Sequence, residues 1–354
     1  MQNPFLDRKR ILNTTPEYVI EVTMGDTADA FKMRRNVANC TLEYSADLLV
    51  WNPVVFSPSF SITGSLKYYV RVASGTFDQI IFYLSQMISV EVLDTSAFTT
   101  CLDMFNFCQK LTTLPATLEL TGITRFDSMF DGCDVLTAIP TINTSSGEYF
   151  DSMFGGCYLV TTFPALDTTN AISFNGMFTN CDALTPANVP VLDTTNGPTM
   201  DSMFSFCGSM ISIPAIDMSN SSSFQSMFRG ASLVNPVLTG LGANANCFNM
   251  FQGCTSMLTI DITLPVDFNS ISDIVRDCSS LTKVTIDAPS GNTGSFYSAF
   301  RTCVSLTCIG GYMDTRTAST TQYMFLGSSS IANPTGVEQT AIQSGAEYTY
   351  VCSA

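Results

Sequence analysis

The sequence predicts an α+β repeat solenoid, and three observations carry that expectation. A Met-Phe pair returns at Met104, Met129, Met153, Met177, Met203, Met227 and Met250, with Ile274 and Ala299 as substitutes and Met324 last, in steps of 23 to 26 residues. Within a unit such as 126–143, Phe126, Met129, Phe130 and Cys133 fall at offsets 0, 3, 4 and 7, one face of two helical turns. An extended run follows, L-T-x-I-P with Leu136, Ile139 and Pro140, so each unit reads as short strand, turn and short helix. One unit cannot bury its own apolar face, so ten units in register must stack.

The elements in chain order give four parts. Residues 1–76 read as a small all-β, sandwich-like attachment domain, because YVIEV (18–22) and KYYVRV (67–72) alternate like half-buried strands and Pro53, Pro58 and Gly64 punctuate the connections. Residues 77–95 read as a bridging and capping segment, 96–332 as the solenoid and 333–354 as a C-terminal cap with a short YTYVC strand. Caps are expected because an open solenoid end exposes apolar ladders and unpaired strand edges.

The repeated positions assign a core ladder: Met129, Phe130, Cys133, Met153, Phe154, Cys157, Met177, Phe178, Cys181, Met203, Phe204 and Cys207. Met adapts to the drift between coils, and Cys is small enough for a tight corner. One soft ligand per unit does not build a metal site, and identical stacked positions point their Cβ vectors the same way, so buried free thiols are expected in preference to a metal array or a disulfide ladder. Such thiols fit a reducing compartment of synthesis. Asp127, Asp151 and Asp201, each at the start of a predicted helix, read as helix caps. The same row admits an enzymatic reading, carboxylates on successive coils about 5 Å apart as in retaining glycoside hydrolysis, although it runs on through Asn175, Gln225 and Phe248. The Asp residues of the LDT-type turns, Asp94, Asp167, Asp193 and Asp217, read as Asx turns, since single carboxylates make poor calcium sites.

Composition excludes several function classes. The 15 basic residues stand against 30 acidic ones, a net charge of −15, and no basic cluster follows the first 35 residues, so neither nucleic acid nor an anionic membrane is an expected partner. Histidine is absent, which removes Ser-His-Asp and Cys-His catalysis and HExxH zinc sites. No run of 18 apolar residues exists, and the N-terminus lacks the apolar stretch of a secretory signal, so neither membrane insertion nor export is expected. Arg8, Lys9, Arg10, Arg34 and Arg35 make the N-terminal end a candidate docking patch for an acidic neighbour. Tyr149, Tyr158, Tyr297 and Tyr312 are candidate contact residues on the solenoid.

The unit F-x-S-M-F-x-x-C-x-x-L-T-x-[IL]-P-x-[IL]-D-T, from Phe126 and again from Phe150, resembles the BspA-type leucine-rich repeat of bacterial, mycoplasma and bacteriophage-encoded surface proteins. TGSLKYYVRVASG (63–75) is similar to a strand in the N-terminal β-domain of that family, whereas Trp51 is followed by Asn52 and Pro53 and departs from the family's W-G-D-G turn. The resemblance implies a leucine-rich-repeat array and a non-enzymatic structural or adhesive role without cofactors. The expected setting is a bacteriophage virion surface, as a fibre, decoration or receptor-binding protein, with a bacterial cell-surface adhesin and a carbohydrate-active β-helix enzyme as alternatives. The expected partners are other protein subunits of an oligomeric assembly and a host surface protein or glycan.

Overall fold

The computed structural model describes residues 100–118, 120–289, 294–314 and 323–328, together with isolated strands elsewhere. Those strands are β1 (Val19–Met24), β2 (Ala30–Phe31), β3 (Thr41–Ser45), β4 (Asn52–Pro53), β5 (Phe60–Ser61), β6 (Lys67–Ser74) and β7 (Met87–Val92). Five of them form an antiparallel sheet in the order β4-β3-β6-β1-β7, and β2 pairs with β5. Among the described residues this pairing is all that is shown of the expected sandwich-like domain; the remainder of 1–76, with Arg8, Lys9, Arg10, Arg34 and Arg35, lies outside the described residues. Strand β7 falls in the predicted bridging segment, and the N–H of Val90 donates to the Thr113 carbonyl at 2.9 Å, joining that sheet to the first coil.

From residue 100 onward the chain is a β-solenoid of about eight turns between the corners at Met104 and Ala299, with a further corner at 323–328. The repeat architecture stands, but the α component does not. Each predicted helix is instead a pair of consecutive tight turns. In the corner of 126–133, the N–H of Met129 donates to the Phe126 carbonyl and that of Cys133 to the Phe130 carbonyl, both at 3.2 Å, the spacing of a β-turn. The intervening amides point along the stack: Ser128, Phe130 and Gly132 donate to Asp151, Met153 and Gly155 of the next coil at 2.8 to 2.9 Å. An α-helix would close these amides within itself and leave the coils without a ladder.

The backbone explains how this is possible. Ser128 has φ 52° and Gly132 φ 71°, and the equivalent pair is left-handed in later corners, as at Ser152 and Gly156, Gly176 and Asn180, Ser202 and Phe206, Ser226 and Gly230, and Asp273 and Asp277. A left-handed residue every fourth position ends any helix after one turn. Gly, Asn and Asp tolerate that region, which accounts for most residues found there.

Behind the corners lies one continuous core. The Met row from Met104 to Met250 is buried, as are Ile274 and Ala299 in the same row. Phe105, Phe130, Phe154, Phe178, Phe204, Phe228 and Phe251 stack ring on ring at 5.4 to 5.9 Å with interplanar angles of 5° to 18°. Full burial of each ring stabilises by about 1.5–3 kcal/mol, and each ring pair adds about 0.5–1.5 kcal/mol. The Cys row is buried and free. Each thiol donates back to the preceding coil: Cys133, Cys157, Cys181 and Cys207 bond the carbonyls of Phe105, Phe130, Phe154 and Phe178 at 3.0 to 3.4 Å. Ser328 at the same position bonds the Phe300 carbonyl at 2.6 Å, so the position selects a small donor as well as a small volume.

The opposite wall changes along the stack. Early coils carry only β8 (Thr117–Leu118) and β9 (Thr141–Ile142), paired in parallel, with single-residue bridges such as Arg125 to Tyr149 to Ser173 to Thr199 at the entry to each corner. Later coils form a true parallel sheet of β10 (Val237–Leu238), β11 (Thr259–Thr263), β12 (Lys283–Ala288) and β13 (Cys308–Asp314), closed by the antiparallel β14 (Glu347–Tyr350). The rest of the predicted C-terminal cap lies outside the described residues.

Candidate functional site

The acidic row lies at the first turn of each corner, where no helix stands for Asp127, Asp151 or Asp201 to cap. The carboxylates bond the next coil instead. Oδ1 of Asp151 accepts the N–H of Asn175 at 2.9 Å and also the hydroxyl of Ser173. Asn175 repeats the contact one coil on, its Oδ1 accepting the N–H of Asp201 at 2.9 Å, and Asp201 accepts the N–H of Gln225 and the hydroxyl of Ser223, both at 2.7 Å. Asp127 is turned aside by Arg125, whose Nε lies 2.8 Å from its Oδ2. Burial pushes the Asp151 carboxyl above its usual range, opposed by the Ser173 and Asn175 bonds. Oδ1 of Asp151, Asn175 and Asp201 is therefore engaged in stacking, whereas Asp127 is held within its own coil.

A second polar edge follows the extended runs. Oδ1 of Asp167 accepts the N–H and hydroxyl of Thr169, and Asp193 does the same with Thr195 at 2.9 and 2.6 Å, which are Asx turns. The Thr195 bonds hold the Asp193 carboxyl below its usual range. Buried Thr144 and Thr194 donate to the Asp167 and Asp217 carbonyls of the following coil at 2.9 Å. Asp94 lies outside the described residues. Among the described residues, no three metal-ligand side chains gather at one place, and no helix is long and apolar enough to cross a membrane.

The candidate tyrosines differ in exposure where they are described. Tyr149 is half-buried under the Arg125 guanidinium, 4.9 Å from its ring centroid. Tyr297 is half-buried with its ring edge-on to Tyr323 at 5.7 Å, while Tyr158 is exposed beside Leu159. Tyr312 sits on β13, and its side chain lies outside the described residues.

A concave feature of the described coils brings Asp167 and Asp193 together with apolar residues not singled out in the sequence. The step from Met177 to Met203 is the longest of the repeat, 26 residues, and the extra length forms a short 3-10 turn at Pro186–Asn188. Val191, just beyond it, is 91% exposed. A groove of about 330 Å³ lies here, lined by Phe163, Pro164, Leu166, Pro190 and Val191 with Asp167 and Asp193. The only sequence signals for it are the long step and the Pro186/Pro190 pair.

A third polar group lies in later coils, where Arg276 bridges Asp273 at 3.7 Å and Asp277 at 3.3 Å. Burial raises the Asp273 carboxyl, and Arg276 and Arg301 oppose that shift.

Two overlapping stretches of the chain, residues 74–186 and 150–263, match the model of a family described as Mycoplasma protein of unknown function, DUF285, and together they span more than half of it. No curated protein and no solved structure matches.

Proposed function

We propose, for a chain that belongs to the DUF285 family, a non-enzymatic structural and adhesive role: its N-terminal part docks to a larger assembly and its solenoid presents a long surface to a protein or glycan partner. The observation that carries this reading is the engagement of the row carboxylates, amides and hydroxyls in coil-to-coil bonds, from Asp151 and Asn175 to Thr144 and Thr194. Those groups build a scaffold rather than a reaction centre. Its outer surface carries exposed apolar side chains, among them Tyr158, Leu159, Val191 and Ile211, suited to contact.

The two settings for such a protein are a virion and a bacterial cell envelope, and fractionation of the native source with quantitative mass spectrometry separates them. A fixed ratio to capsid or tail proteins places the chain in a particle, and recovery with the envelope places it on the cell. Recovery as a free monomer, absent from both, overturns the reading. So does a glycan-cleaving activity of the purified chain that Asp151→Asn abolishes.

A further inference from the structure

The groove of about 330 Å³ beside the Pro186–Asn188 turn joins two chemistries. One part of its lining is apolar, from Phe163, Leu166, Pro190 and Val191, and Val191 stands almost wholly in solvent although burying a valine side chain is favourable. The other part is acidic, from Asp167 and Asp193 on neighbouring coils, and no basic side chain lines the groove. An apolar surface left open beside two carboxylates fits a ligand that is itself half apolar and half cationic.

The hydrogen bonds of the two carboxylates decide which cation. Oδ1 of Asp167 accepts the N–H and hydroxyl of Thr169 at 3.2 and 2.8 Å, and Oδ1 of Asp193 accepts those of Thr195 at 2.9 and 2.6 Å. Among the described residues, Oδ2 of either carboxylate receives no donor. The coils are tied together at this point, because Thr168 Oγ1 accepts the Asp193 N–H at 2.7 Å, so the two acidic positions lie about 4.8 Å apart, one strand spacing. A guanidinium fork needs both oxygens of one carboxylate, and here one of each pair is already taken twice over. A compact ammonium with three donors can reach one Oδ2 from each coil instead. The Thr195 bonds also hold the Asp193 carboxyl below its usual range, which keeps it charged.

We propose that this groove binds a lysine side chain presented by a partner protein, the ammonium held between Asp167 and Asp193 and the aliphatic stem laid along Leu166, Pro190 and Val191. Lysine carries both halves of the required chemistry on one side chain, a four-carbon stem and a charged head. Charge complementarity selects it, since the chain has a net charge of −15 and the lining of the groove supplies no counter-charge of its own. The contact would cover Val191, the apolar side chain that the two surplus residues of the 26-residue step leave in water. The proposal names the recognised group for the adhesive reading above and rests on that reading for the partner's being a protein.

The test titrates the full chain, labelled at its leucine and valine methyl groups, with a capped pentapeptide that has lysine at its centre between two valines and two glycines, and follows binding by NMR. The expected result is a saturable shift of the Leu166 and Val191 methyl signals with a dissociation constant on the order of millimolar, as suits a single side chain. The norleucine counterpart, which keeps the stem and lacks the ammonium, should bind on the order of fivefold more weakly, and raising NaCl from about 0.05 to 0.5 M should erase the difference. Asp193→Asn and Asp167→Asn remove the charge while their amide oxygen can still accept the Thr195 or Thr169 donors, so the turn is kept and each should lose the preference for lysine. Absence of groove shifts, equal binding of the norleucine peptide, tighter binding of the arginine counterpart, or an undiminished preference in both Asn variants overturns the proposal. Such a failure leaves the fractionation result for the adhesive role untouched, and recovery of the chain as a free monomer would overturn that role while leaving the peptide titration as measured.

Discussion

The coils from 126 to 231 and those from 237 to 314 follow the same period and turn the same corner, yet they close their second wall in different ways. In the first region the run after the Cys reaches Pro140, Pro164, Pro190 and Pro214 midway, and no strand longer than two residues forms. Proline lacks the N–H that a ladder needs, so this wall is held by side chains, by Phe163 set against Phe154 and Phe178 at 4.9 and 5.0 Å, and by the Thr and Asn contacts of the turn edge. In the second region the proline moves outward to Pro265 and Pro289 and then disappears, and the strands lengthen from two residues in β10 to five, six and seven in β11, β12 and β13. TIDIT and KVTIDA also bring β-branched alternation, with Ile260, Ile262, Val284 and Ile286 facing inward. Proline position thus sets the wall, while the corner stays constant.

The largest expected effect falls on the aromatic stack of the first region. Phe178→Ala should cost about 3–5 kcal/mol in urea melts, because its neighbours Phe154 and Phe204 are held by their own coils and cannot close the gap. A loss below about 1 kcal/mol would mean that the stack does not bear the stability of this region. Next comes the sheet of the second region. Thr285→Pro in the central strand β12 should cost about 3 kcal/mol or more, although proline is native in the extended runs of the earlier coils and the Thr285 side chain is only half-buried. Near-neutral behaviour would erase the distinction between the two walls.

A smaller change distinguishes the corner from a helix by its sign. Gly253 has φ 72°, and a Cβ added there meets nothing within 4 Å. Gly253→Ala should therefore destabilise by about 1–2 kcal/mol through the left-handed backbone alone, whereas in a helix the same change would stabilise by about 1 kcal/mol.

The smallest effect is pH-dependent and confined to the first region. Burial, with Asp103 and Asp134 close by, raises the Asp131 carboxyl to about 6. A folded-state value above the unfolded one means that the ionised form opposes folding, fully above about pH 6 and progressively less as pH falls towards 4. Asp131→Asn should raise Tm at pH 7.5 and leave it nearly unchanged at pH 4. An equal shift at both values would show that the charge is not the cause.

Much of this architecture was legible in the residues. The period, the stacking and the identity of the core rows follow from Met, Phe and Cys at fixed offsets. The corner was not, because apolar residues at offsets 0, 3, 4 and 7 fit two helical turns and two consecutive β-turns equally well. The discriminating signal lay in the residues between them: Ser, Gly, Asn or Asp before most of the Met positions and Gly or Asn three after many of them, with Phe107 and Phe206 as exceptions, small or turn-prone types in the places that become left-handed. The Asp row was read as helix caps, but no helix stands there: Asp151 and Asp201 accept the amide 24 residues on in the next coil, and Asp127 holds Arg125. The groove was hidden because it arises from two surplus residues in one coil.

The central claim is that the repeated corner is a stacked pair of left-handed turns and not a helix. Far-UV circular dichroism of the purified full chain tests it most directly. The account predicts a spectrum of sheet and turn with negligible helical signal. Helical content of the size that ten two-turn helices would supply would contradict it.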